Sequence, residues 1–158
     1  MGLVIAFVAH TALSTAWLFP GLQSSCAATP IEDRLPSVIA AMAGTDPVWL
    51  VTDERWEPWA KSALVLSRRA TGSLHVEGHR LDGPGTLRFQ DGAGAPVTDA
   101  FVIDDPWGRR SVKPFGASVD ILASYAFIML MVNYPSPGCW QFDVQLGIDR
   151  VRIVRDVK

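Results

Sequence analysis

Only two cysteines, Cys26 and Cys139, occur in the 158 residues, too few for the disulfide framework that holds many small secreted domains together. Charge is also scarce. Asp, Glu, Lys and Arg make up 19% of the chain, against roughly 25% in ordinary soluble proteins, and none of the four precedes Glu32. The formal net charge of −2, with 14 scattered Lys and Arg, argues against a nucleic-acid binder, which would show a basic face. The basic pairs Arg68-Arg69 and Arg109-Arg110 read as solvated strand ends. There is no Gly-x-Ser-x-Gly and no Gly-rich phosphate loop between a strand and a helix. The three histidines are His10, His75 and His79, so a Ser/His/Asp triad has candidates by residue type only. Catalytic residues are therefore not assigned, and no cofactor is expected.

What is present begins with an apolar stretch from Leu3 to Phe19, broken only by His10, Thr11, Ser14 and Thr15 and ended by Pro20-Gly21. Small residues follow, and Ser25 and Ala27 suit the −3 and −1 positions of a signal-peptidase site. Three outcomes fit this segment. A signal helix over residues 1–27 is cleaved after Ala27, or after Ala28. Alternatively, Cys26 carries lipid. Alternatively, residues 1–20 are retained as an anchor, marginal in length for a bilayer of roughly 30 Å. Each places the remaining chain outside the cytoplasm, touching a membrane only through its N-terminal segment. If Cys26 leaves, Cys139 is a lone buried thiol beside Trp140; if it stays, a Cys26–Cys139 bridge is available.

Past a linker over residues 28–46, the domain over 47–158 reads as short strands. The clearest is Cys139 to Leu146, where Trp140, Phe142, Val144 and Leu146 alternate with Gln141, Asp143 and Gln145. That period of two marks a strand with one buried face. Others are expected at 48–52, 62–69, 73–81, 85–90, 98–104, 121–133 and 150–155. Gly- and Pro-rich separators such as Asp82-Gly83-Pro84-Gly85 and Pro135-Ser136-Pro137-Gly138 lie between them. Gly147-Ile148-Asp149 fits a tight hairpin. The pattern predicts an all-β protein, an antiparallel sandwich of about seven or eight strands. The run Ile121 to Val132 fits a buried helix or a long central strand, and its β context favours the strand.

Several constellations bear on function. His75, Glu77 and His79 share one strand face, but with about 6.6 Å between such neighbours the two histidines cannot hold one ion without a bulge at Gly78. Met129 and Met131 share another face and are soft enough for copper, which makes a copper-handling domain using all four side chains the alternative function. Carboxylates assembled by the fold for hydrolysis are a third possibility. Trp56, Trp59 and Trp107 lie in loop-like segments among charges and prolines. With Arg109, they are the candidates for contact with a protein or glycan partner; the same indoles could instead fold over the sandwich ends.

Lys61 to Arg69, Val76 to Gly83, Pro137 to Phe142 and the final Arg/Val-rich strand together resemble a loosely defined group of uncharacterised bacterial secreted or lipid-anchored proteins. The resemblance spans roughly residues 61–158, and its most specific piece is Pro137 to Trp140. It implies an immunoglobulin-like sandwich and carries over no catalytic residues. The expectation is an exported cell-envelope domain with a non-catalytic binding or structural role, its contacts made by loops at a sandwich end.

Overall fold

The computed structural model describes residues 26–31, 41–51, 55–92, 94–109 and 119–158. The apolar N-terminal stretch and Arg110 lie outside the described residues. In chain order the elements are β1 (Met42–Thr45), β2 (Val48–Val51), β3 (Trp59–Ser67), β4 (Leu74–Arg80), β5 (Arg88–Gln90), β6 (Val97–Thr98), β7 (Phe101–Ile103), α1 (Val119–Ser124), β8 (Tyr125–Asn133), β9 (Gly138–Leu146) and β10 (Asp149–Val157).

The strands form two sheets, one ordered β1-β2-β3-β8-β5-β6 and the other β10-β9-β4-β7. Every pairing is antiparallel. Leu50, Leu64, Leu66, Phe89, Ile128 and Val132 of the first sheet pack against Leu74, Val76, Phe142, Val144, Leu146 and Ile153 of the second in one core. At roughly 25 cal/mol per Å² of apolar area removed from water, this interior is the main source of stability. Both chain passages β3–β4 and β8–β9 cross from one sheet to the other. They define two ends: an upper end with the β3–β4 and β9–β10 turns, and a lower end with the β8–β9 turn.

Three expectations are revised. Met42–Thr45 is a strand paired with β2, so the sandwich begins inside the segment expected to be linker. The run expected to be one strand from 121 is divided, because α1 ends at Ser124 and β8 begins at Tyr125. Arg68 sits at that junction. Its backbone N–H donates to Ser124 O at 3.0 Å and its Nη1 to Ala123 O at 2.8 Å, which satisfies carbonyls that the helix end leaves open. The segment 98–104 is likewise two short strands, β6 and β7, which join different sheets.

Strands β2, β3 and β8 are apolar on both faces. Met42, Trp49, Val51, Ala63, Val65 and Phe127 form a second buried cluster on the outer face of the first sheet, with Ile121 and Tyr125 packed against it. This explains why β2 and β8 read as continuous apolar runs and not as alternation.

Residues 26–31 form a strap along the side where β10 and β1 lie at the edges of their sheets. Thr29 N donates to Val154 O, and Val154 N donates to Thr29 Oγ1, both at 2.8 Å. Two residues on, Ile31 bridges to Ala43 of β1. Cys26 anchors the strap through a disulfide to Cys139 of β9. The strap thus occupies exposed edge groups that would otherwise be open to pairing with another chain.

Candidate functional site

The upper end carries a concave site of about 620 Å³ lined by Met42, Asp46, Trp49, Ser67, Arg68, Arg69, Ala123, Ser124 and Tyr125. Ligand clefts fall in this size range. Three separate parts of the chain build it: the β1–β2 hairpin, the turn after β3, and the α1–β8 junction. The β3–β4 turn is held by a glycine contact, since a β-carbon on Gly72 would lie 2.7 Å from Gly147 Cα in the β9–β10 turn. That close approach fixes the loop bearing Arg68 and Arg69.

The aromatic walls of the site are Trp49 and Tyr125, set edge to face with ring centroids 6.0 Å apart. Arg69 forms an ion pair with Asp46 at the mouth. Arg68 is held by α1 and also lies over Trp107, 5.7 Å from its ring centroid. Trp49 is 5% exposed, and its buried indole N–H has no acceptor. A buried donor left unpaired costs about 1–3 kcal/mol, so this group is a feature to be explained. The lining holds two guanidinium groups, one carboxylate and three hydroxyls, those of Ser67, Ser124 and Tyr125, beside the aromatic walls. These groups suit recognition of a polar ligand with an acidic group.

The partner-contact residues expected from sequence do not form one surface. Trp56 and Trp59 are at the lower end, whereas Trp107 and Arg109 belong to the segment that packs near Arg68. Trp56 and Trp107 are partly buried against the main core, so both act as covers of the sandwich ends. Trp56 Nε1 donates to Tyr134 O at 3.2 Å, and its backbone N–H donates to Lys158 O at 2.6 Å. Trp59 opens β3 opposite Asn133. Arg109 forms an ion pair with Asp91.

The copper constellation is not assembled. Met129 and Met131 point outward from the first sheet, beside Lys61, Gln90 and Asp91. His75 and His79 point outward from the second. Sheets in a sandwich are about 10 Å apart, so the four side chains lie on opposite sides of the molecule. β4 pairs with β9 without a bulge at Gly78. His75 instead faces Glu77 at 3.2 Å and His79 faces Asp143 at 3.6 Å. Among the described residues no group of three His, Cys, Asp or Glu is arranged to hold a metal ion.

Cys26 is bonded to Cys139. A sulfur in that bond cannot also carry a lipid thioether, and cleavage after Ala27 or Ala28 would remove it. No helix among the described residues is long and apolar enough to cross a membrane.

At the lower end the Pro137-Gly138-Cys139-Trp140 turn packs around Arg80. Arg80 Nε donates to Asp82 Oδ1 at 2.5 Å and Nη1 to Ser136 Oγ at 2.8 Å. The hydrogen bond from Arg80 holds the Asp82 carboxyl below its ordinary value, and the same bond raises the Arg80 guanidinium above its own. Trp140 Nε1 donates to Ser136 O at 3.1 Å. The motif singled out by sequence is thus a structural latch.

Sequence reasoning missed two structural features. The cleft residues are far apart in sequence and carry no common spacing. Arg155 is buried on the inner face of β10 with Ile153 and Val157; the alternation of that strand, which puts Val151, Ile153 and Arg155 on one side, was the available signal. Compared with protein-family models, curated proteins and solved structures, the chain finds a match in none of the three.

Proposed function

We propose that this chain is an exported, immunoglobulin-like domain that acts at the cell envelope as a non-catalytic binding module, with its contact site in the upper cleft. The strand order supports the immunoglobulin-like assignment. In such domains the second strand pairs with the fifth and the third with the sixth, in two sheets. Here β2-β3-β8-β5 takes the place of the four-stranded sheet, and β4-β9-β10, extended by β7, the place of the other. The disulfide is compatible with an oxidising compartment.

The observation that carries the binding role is the cleft itself, where Arg68 and Arg69 share one concavity with Tyr125, Asp46 and the edge of Trp49. A photoreactive amino acid placed at Arg69 tests it in cells, with the same group at Glu77 on the far sheet as control. An envelope adduct from position 69 and none from position 77 is the expected result. Equal labelling, or none from position 69, rules the cleft out as the contact site.

The Cys26–Cys139 bond favours a mature chain that keeps Cys26, with the leader either cut upstream of it or kept as the anchor. Non-reducing intact mass with N-terminal sequencing checks this. The expected product contains Cys26 and gains the mass of two hydrogens on reduction. An N-terminus at Ala28 or Thr29, or a lipid on Cys26, would refute it.

A further inference from the structure

We infer that the upper cleft recognises a carboxylate-bearing sugar, an inference that rests on the binding-module reading above. The cationic side of the site is supplied by two guanidinium groups with different constraints. Arg69 has a side chain 74% exposed, so its planar fork is open to solvent at the mouth while Asp46 holds it on one side. Guanidinium forks match carboxylates geometrically. Arg68 is fixed from two directions, by the Ala123 carbonyl and by the Trp107 ring. A fixed cation needs little ordering when a ligand arrives.

The remaining lining suits the other parts of a sugar acid. Asp46, Ser67 and Ser124 present oxygen groups that can exchange hydrogen bonds with ring hydroxyls. Tyr125, set against the buried Trp49 ring, supplies apolar surface for the C–H face of a pyranose. A volume of about 620 Å³ accommodates one or two pyranose rings. A polyanion such as nucleic acid fits poorly. It would need a broad basic surface, whereas Asp46 neutralises part of this small patch and the chain as a whole is at −2.

The test is NMR titration of the full, disulfide-bonded chain with three probes at millimolar concentration. These are N-acetylmuramic acid, glucuronic acid and N-acetylglucosamine, which share a pyranose ring while only the first two carry a carboxylate. A short acidic peptide serves as a fourth. The expected result is saturable shifts with both acids at the Trp49 indole N–H, Tyr125 and Arg69, and none with N-acetylglucosamine. Arg69→Gln should weaken that binding about tenfold, the loss expected of a charge-assisted contact at an exposed position. A response to N-acetylmuramic acid alone would place the ligand in the cell-wall glycan; an equal response to glucuronic acid would point to acidic polysaccharides. Equal binding of the neutral sugar, or binding of the peptide only, would overturn the ligand class and leave the binding module standing. No shift at the cleft with any probe would overturn the sugar-acid ligand, whereas the binding-module reading stands or falls with the cross-link from position 69.

Discussion

The Arg80 guanidinium lies over the Trp140 ring at 5.9 Å, and a β-carbon on Gly138 would come within 2.7 Å of its Nη2. Gly138 also has a φ of +148°, where an L side chain is strained. Gly138→Ala should therefore destabilise the protein by about 1–3 kcal/mol, through backbone strain and displacement of Arg80. Urea unfolding would measure it. A change within a few tenths of a kcal/mol would show that Arg80 and the turn adjust freely.

The Asp82 carboxyl, held low by its bond from Arg80, sets a pH dependence. Its folded value is below its unfolded one, so its contribution is present above the ordinary carboxylate value and is lost as pH falls through the folded one. The gap in melting temperature between the wild type and Asp82→Asn should be widest near neutral pH. It should close below about pH 4. A gap that stays constant across that range would refute the assignment.

The Cys26–Cys139 bond spans a sequence separation of 113 residues. In the chain-entropy account a loop of that length stabilises by up to about 4–5 kcal/mol, and measured values are commonly about 2–4 kcal/mol. The double variant Cys26→Ser, Cys139→Ser should lose an amount in the measured range and should expose the Thr29 amide to hydrogen exchange. An unchanged denaturation midpoint would show that the strap stays docked without its covalent anchor.

Ser62 is buried between the sheets and its hydroxyl has no hydrogen-bond partner. Ser62→Ala removes an unsatisfied group at little cost in packing, so it should be neutral or stabilising by up to about 1 kcal/mol. Thermal unfolding is enough to decide. A clear loss of stability would mean that the hydroxyl is satisfied in solution.

The two-sheet all-β fold was legible in the sequence wherever a strand has one wet face. β9 and β10 show it best, since Asp143, Gln145, Arg150 and Arg152 mark the outside, although Gln141 is buried on that face and Arg155 turns inward. Legibility fell where both faces are buried. Tyr125 to Val132 is apolar on each side of its sheet, so it carried no alternation, and the helix-to-strand switch at Ser124 depends on Arg68, more than 50 residues away in sequence. β1 was obscured because Met42-Ala-Gly-Thr45 is short and has little β character of its own; its pairing with β2 makes it a strand. The cleft was the least legible part. Trp49 read as core, which it is, and Arg68-Arg69 read as a solvated strand end. Only the fold brings them to one concavity.

The strap has a mechanical consequence. With Cys26 bonded to Cys139, tension applied to the chain ahead of Cys26 passes straight into β9. The covalent path then bypasses β1 to β8 entirely. A stretched molecule can lengthen only outside that closed loop, toward Lys158, so the cleft at the upper end lies within the shielded portion. A domain tethered by its N-terminal side keeps that cleft intact under load.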